Sequence, residues 1–480
     1  MNKSIMFQGT GSGVGKSLVS AAFCRILSDR GVRIAPFKAQ NMALNSGVTM
    51  DNKEMGRAQI LQAEAARITP DVRMNPILLK PQGNGSSQLI RMGKPAGVIS
   101  YKDYYTIYKE NLEIVQKAYI SLKKDYDLII IEGAGSPAEI NLQTFDIVNM
   151  KMANIADASV FIVGDIDRGG VFASFKGTYD LILPCYQKYI KGFIINKFRG
   201  DKSLLDGGIE MFKNILPVKI CGVIPYSENK LDEEDSQFIK HQITEKPDIK
   251  IGIIKLKYMS NFTDFTPFTY IEKVQVEFIS TPEKLEDMDI IIIPGTKNTV
   301  ADLEFLKIKG FHDELIKLSG KILIIGICGG FQMLGNIILD NKIESSQRKK
   351  CDAMKLINME TTLLKDKQLK QVSINGISYF SGLKIKGYEI HHGDTKIDDD
   401  VTDLTEQKGL CVYKKSGNIL GTYIHGIFDN YEIIDIIFTM AGKRGIPNIN
   451  LAREKDNALN KLASMVEQSC DMQYINSFIS

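Results

Sequence analysis

Residues 321–335, KILIIGICGGFQMLG, set Cys328 between an apolar strand-like stretch and a Gly-Gly pair opening into a helix. This is the pattern of a nucleophile elbow. The thiol sits at a sharp turn at the carboxyl end of a strand, small neighbours admit substrate, and the following backbone N–H groups face a developing oxyanion. A thiol of ordinary pKa, about 8.5, is mostly protonated at neutral pH, so the elbow needs a base. Of the five histidines, His241, His312, His391, His392 and His425, the last, in the strand-like GTYIHG, is the best-placed candidate. Gly295, in IPGTKN, and Gly329 are expected to supply the oxyanion donors.

A second chemistry is written at the N-terminus. Residues 9–17, GTGSGVGKS, follow a strand and precede an amphipathic run that Gly31 closes. Backbone N–H groups of a loop carrying Gly11, Gly13 and Gly15 would then converge with a helix N-terminus on a phosphate. Lys16 would reach the β/γ-phosphates of ATP and Ser17 would ligand Mg²⁺. A strict G-x-x-x-x-G-K-[ST] needs glycine where this chain has Thr10, so a glycine turn that merely caps a helix is the competing reading. Glu132 ends the run DLIII before GAGSPAE, and its carboxylate is expected at the metal from the carboxyl edge of a sheet. Asp165 and Asp167, in VGDIDRGG, end another strand and are as readily helix caps or lysine partners. Lys38 and Asn41, in APFKAQNMALNS, follow a further strand end, where Lys38 could neutralise a carboxylate or a transferring phosphoryl group.

Positioning such residues is the work of alternating strands and amphipathic helices, the signature of parallel α/β sheets. Strands are expected at 5–8, 33–37, 127–131, 159–163, 192–196 and 220–224, and again at 250–256, 289–293, 321–325, 386–391 and 420–424. The polar stretch 227–248 between the two series reads as a linker. The expected domains are therefore 1–230, a P-loop domain, and 249–442, joined by a linker at 231–248 and followed by a helical segment at 443–480. At about 150 residues per domain, 480 residues fit this plan. The net charge of +3 is nearly neutral for that length and gives no argument for nucleic acid or an anionic membrane. No apolar stretch reaches the roughly 20 residues of a membrane span, and the N-terminus lacks a signal-peptide core. Seven cysteines, odd in number and never in C-x-x-C spacing, fit a reducing compartment, so a cytoplasmic location is expected.

The strings GTGSGVGKS, PFKAQNMALNS, EMGRAQILQAEAA, DVRMNPILLKP, IEGAGSPAEINL, VGDIDRGGVFAS and INKFRGD resemble the N-terminal domain of the cobyric acid synthase family. SNFTDFTPF, IIIPGTKNTVADL, GICGGFQMLG, GYEIHHG and GTYIHGIFDN resemble its glutaminase domain, in the family's order. The resemblance implies two α/β parallel-sheet domains: a dethiobiotin synthetase-like P-loop NTPase, whose offset glycine spacing accounts for Thr10, and a flavodoxin-like class I glutaminase. It implies amidation of the b, d, e and g carboxylates of adenosylcobyrinic acid a,c-diamide with ATP, Mg²⁺ and glutamine-derived ammonia. By the same analogy, Asn196 would read the adenine and Glu132 would help hold Mg²⁺. Cys328-Gly-Gly-Phe-Gln332 fits the C-x-G-x-Q of class I amidotransferases, so Gln332 joins the expected glutamine site.

Two positions depart from the family pattern. Gly13 stands where the family usually has aspartate. Many class I glutaminases carry His-x-Glu, but Ile427 follows His425 at that spacing, leaving either a Cys–His dyad or an orienting group from elsewhere, with Glu389 of GYEIHHG a candidate. Cobyrinic acid a,c-diamide synthase shares both domains, but QNMALNS, GRAQ and NKFRGD argue against it. A partitioning ATPase would carry a signature lysine where this chain has Gly11 and would not need Cys328 and His425. A non-catalytic module with a relic glutaminase would not need Cys328, Gln332 and His425 intact.

Overall fold

The computed structural model describes residues 3–83, 85–228, 231, 246–345, 348–398, 400–445 and 449–479. Most of the expected linker and His241 lie outside them. The chain forms two compact units: residues 1–43, 54–236 and 455–480 make the first, and Leu44–Lys53 with residues 237–454 make the second.

In the first unit all six expected strands form one sheet, ordered Ile220–Pro225, Ile190–Phe198, Ser159–Asp165, Lys3–Gly9, Leu128–Glu132 and Ile34–Phe37. Every neighbouring pair is parallel. Runs such as LIIIE are buried along their whole length, as expected for β-branched strands covered on both faces. Parallel pairing also puts all carboxyl ends on one edge. Phe7 is in register with Glu132, Gly9 with Val163 and Asp165 with Asn196, so residues scattered over nearly 200 positions meet beyond the same edge.

Two features of this unit, a second sheet and the surface on which the expected C-terminal helix packs, do not follow from sequence periodicity. A smaller sheet of Gln40–Met42, Ile77–Gly83, Ser86–Arg91 and Lys94–Ser100 stands apart from the main one. The C-terminal helix Leu451–Ser469 buries Leu459, Leu462, Ala463 and Val466 in the same core as Val19, Phe23 and Cys24. Arg25, almost wholly buried, fixes that contact: its guanidinium pairs with Asp456 at 2.7 Å and donates to Ala65 O at 2.8 Å.

The second unit is built on a seven-stranded sheet, ordered Val274–Ile279, Ile249–Ile254, Ile290–Ile293, Leu323–Ile327, Ile419–Thr422, Cys411–Lys414 and Thr402–Asp403. The first five strands are parallel and the last two turn back antiparallel. The stretch expected as a strand at 386–391 lies instead in a second sheet, inside the long strand Lys384–Ile397 paired with Met359–Asn375. The expectation of two parallel-sheet α/β domains holds, with antiparallel strands added at the margins.

The continuous stretch 1–230 expected for the first domain does not anticipate one segment. Leu44–Lys53 belongs to the second unit, because its polar groups and Val48 are satisfied by partners there, including Asn261, Phe262, Gln371 and Tyr388.

Candidate active site

Cys328 leaves the strand Leu323–Ile327 with φ 51° and ψ −108°, a conformation that costs an L-residue energy and recurs where a nucleophile must be thrust out of a turn. Its N–H still bonds Thr422 O of the neighbouring strand at 2.8 Å, and the short helix Gly329–Met333 starts on the next residue. The two glycines are sterically required. A Cβ on Gly329 would lie 2.6 Å from Thr296 Cγ2, and one on Gly330 would overlap Ile293 O of the adjacent strand end.

His425 is buried beside the elbow, and the Cys328 thiol donates to Ile390 O at 3.6 Å. Its Nδ1 lies 2.7 Å from Asp264 Oδ2, and the other oxygen of that carboxylate accepts from Gly426 N at 2.9 Å. Bound on one ring nitrogen by the carboxylate, the imidazole presents its other nitrogen to the thiol. Burial pushes His425 down, but the charge and hydrogen bond of Asp264, with the Cys328 side chain, outweigh it and raise it to about 10. The imidazolium is thus the resting form at neutral pH. A Cβ on Gly295 would lie 3.0 Å from His425 Cε1 and 3.8 Å from Cys328 Cβ, so this glycine borders both side chains.

Glu389 does not orient His425. Its Oε2 lies 3.2 Å from His391 Nε2, two residues along the same strand and on the same face. His391 in turn stacks on Tyr423, with ring centroids 4.0 Å apart. Gln332 is buried, accepting from Thr299 Oγ1 at 3.3 Å and donating to Tyr423 Oη at 3.3 Å. Asp264, missed by reading the sequence for His-x-Glu, was visible only as the lone acid of SNFTDFTPF.

In the first unit the loop between Lys3–Gly9 and the helix Lys16–Asp29 holds Gly13 and Gly15 at φ 70° and 96°. Lys16 Nζ reaches back to Gly11 O at 2.8 Å. Asn196 donates to Val14 O at 2.8 Å and packs so closely that a Cβ on Gly15 would overlap its amide. Its amide nitrogen therefore braces the loop. Lys197 adds a second brace, with Nζ 2.6 Å from Gly13 O and 3.0 Å from Asp165 Oδ2. Asp165 thus pairs with a lysine and Asp167 with Arg199.

Glu132 gathers the remaining candidates. Ser17 Oγ donates to its Oε1 at 2.8 Å and Lys38 Nζ at 3.0 Å, while Gln62 and Gln59 donate to Oε2 at 2.5 and 3.3 Å. Asn41 stands one step behind, donating to Gln59 Oε1 at 2.9 Å. Gln62 Oε1 is buried with no hydrogen-bond partner among the described residues. Among the described residues no group of three acidic, histidine or cysteine side chains forms a complete metal cage. A hydroxyl, one carboxylate and an unpartnered amide oxygen instead suit Mg²⁺, which takes few protein oxygens and keeps waters and phosphate oxygens for the rest.

A braced phosphate loop on a parallel sheet in one unit, and a cysteine elbow with an Asp–His pair in the other, define a nucleotide-binding domain fused to a glutamine amidotransferase domain. The family model of the CobQ/CobB/MinD/ParA nucleotide binding domain matches residues 5–238, and that of the CobB/CobQ-like glutamine amidotransferase domain matches residues 250–433. The chain is 43% identical to the probable cobyric acid synthase of Methanothermobacter thermautotrophicus, over 99% of both chains. It is 42% identical to the cobyric acid synthase of Alkaliphilus metalliredigens, over 98% of both, and 41% identical to that of Clostridium botulinum, over 99% of both. The chain belongs to the cobyric acid synthase family.

Proposed function

We propose that this protein is a glutamine-hydrolysing amidoligase that converts the b, d, e and g carboxylates of adenosylcobyrinic acid a,c-diamide to amides, yielding adenosylcobyric acid in cobalamin biosynthesis. The observation that carries the glutamine half is the Asp264–His425 pair aimed at Cys328. The thiolate attacks the side-chain carbonyl carbon of glutamine, and the C–N bond breaks as the His425 imidazolium gives its proton to the departing nitrogen. Ammonia leaves and a glutamyl thioester remains. Neutral His425 then takes a proton from water, whose oxygen attacks the thioester carbon, releasing glutamate and restoring the ion pair. Gly295 and Gly329 are assigned to the oxyanion and Gln332 to the bound glutamine.

A carboxylate is a poor electrophile, so the acceptor must be activated. In the first unit Gly11, Gly13, Gly15 and Lys16 are assigned to the ATP phosphates, with Asn196 at the nucleotide. Ser17 and Glu132 would hold Mg²⁺, which when bound neutralises phosphate charge. The substrate carboxylate oxygen attacks the γ-phosphorus, the bond to the β-phosphate oxygen breaks and ADP leaves. Ammonia then displaces phosphate from the acyl phosphate, loses a proton and gives the amide. Lys38 and Asn41 are assigned to the phosphoryl group and acceptor.

The test is mass spectrometry of adenosylcobyrinic acid a,c-diamide incubated with protein, Mg-ATP and glutamine, alongside Cys328→Ala with either glutamine or ammonium. Stepwise amidation by the wild type, restored in the variant by ammonium alone, is expected. ATP or glutamine hydrolysis without amidation would overturn the substrate assignment.

A further inference from the structure

The element that carries Asp264 is a 3₁₀ helix, Phe262–Tyr270, with Asp264 in its first turn. Its first residues need an acceptor for their N–H groups, usually supplied by the residue at the helix start. Here that residue, Asn261, is in the left-handed region at φ 53° and makes no side-chain cap. The cap comes from Asn45, 217 residues earlier, whose Oδ1 accepts from Phe262 N at 3.1 Å. The exchange is reciprocal: Asn261 Oδ1 accepts from Ser46 N at 3.1 Å. All three residues are buried.

The same segment also supports His425 from its other side. Tyr388 stacks on the imidazole, with ring centroids 5.4 Å apart and planes inclined by 20°, and the two residues exchange both backbone hydrogen bonds. The Tyr388 hydroxyl donates to Ser46 O at 3.1 Å. Further along, Gln371 N donates to Asn52 Oδ1 at 2.9 Å, and the Gln371 side chain donates to Val48 O.

From this we infer that Asn45 is a positioning residue for glutamine hydrolysis, acting on His425 through the helix that carries Asp264, with Ser46 bracing the Tyr388 side. The catalytic Cys–His pair is therefore completed by a segment from the N-terminal part of the chain, which follows Lys38 and Asn41 of the proposed ATP site in sequence. The inference rests on the glutaminase reading above but not on the identity of the acceptor.

Asn45→Ala, Asn45→Asp and the wild type would be compared in glutamate release from glutamine, in thermal unfolding, and in the pH dependence of Cys328 alkylation by iodoacetamide. Asn45→Ala is expected to lower kcat for glutamate release about five- to tenfold, the size of a lost helix cap, with little change in KM. It is also expected to shift the pH dependence of Cys328 alkylation relative to the wild type, because the imidazole beside the thiol is displaced. Asn45→Asp, which keeps an acceptor for Phe262 N, is expected to recover most of both. An alkylation profile identical to wild type in folded Asn45→Ala would overturn the inference. So would a profile that shifts equally in both variants, or a loss tracking thermal unfolding alone. Absence of glutamate release by the wild type would instead sink the glutaminase reading, while the alkylation profile would still report on Asn45.

Discussion

Asp264 and His425, 161 residues apart, meet at 2.7 Å in the interior of the second unit, and the Asp264 carboxylate spends its second oxygen on the backbone N–H that follows the histidine. Both the orientation and the charge of the imidazole are thereby set by one side chain. A neutral amide at 264 keeps the shape but gives up the charge. Asp264→Asn should lower glutamine-dependent glutamate release by about 100-fold or more. Because Asp264 raises His425 to about 10, its loss should also move the alkaline limb of the pH–rate profile to lower pH. A full profile of kcat/KM for both proteins would check the direction.

The same pair makes stability depend on pH. His425 is raised from 6.5 to about 10, so the folded protein holds a proton that the unfolded chain releases above about 6.5. That contribution is present in full below the lower value and is lost as pH rises through the upper one. Urea unfolding of wild type and Asp264→Asn should give a stability gap that is widest near about pH 6 and narrows toward about pH 10. A gap that widens with pH would reverse the sign of the argument.

Gly330→Ala should be costly for a steric reason, since its Cβ would overlap a backbone oxygen of Ile293 that cannot rotate away. Overpacking of this kind costs about 1–3 kcal/mol. A lowered unfolding midpoint together with slowed alkylation of Cys328 is expected, because relief of the clash must move the elbow.

In the first unit, Glu132→Gln removes the carboxylate on which Ser17 and Lys38 converge. ATP-dependent amidation driven by ammonium should fall about 100-fold or more, the scale for loss of one electrostatic group at a reacting phosphate. Glutamate release, measured without the acceptor, should persist. A variant that still amidates at the wild-type rate would remove Glu132 from the assigned site.

What could be read in the sequence was local in origin. The nucleophile elbow needs strand, cysteine and glycines in succession, and a phosphate loop needs strand, glycines, lysine and serine in succession, so both motifs are legible as strings. The buried strands were legible for the same reason, since a strand covered on both faces must be apolar throughout. His425 stands out as a candidate base because the chain has only five histidines.

Tertiary structure alone decided the partners. Glu389 was near in sequence to histidines, but strand alternation gives it His391, two positions on, and the carboxylate that His425 receives belongs to a helix with no spacing relation to it. Lys38 carried no sign that its charge would be met by Glu132, nor Asn45 that it would cap a helix begun at Phe262. Sequence periodicity records which face of an element is buried. It does not record which distant polar group satisfies a buried donor or charge, because that is settled only when separate elements pack and water is excluded.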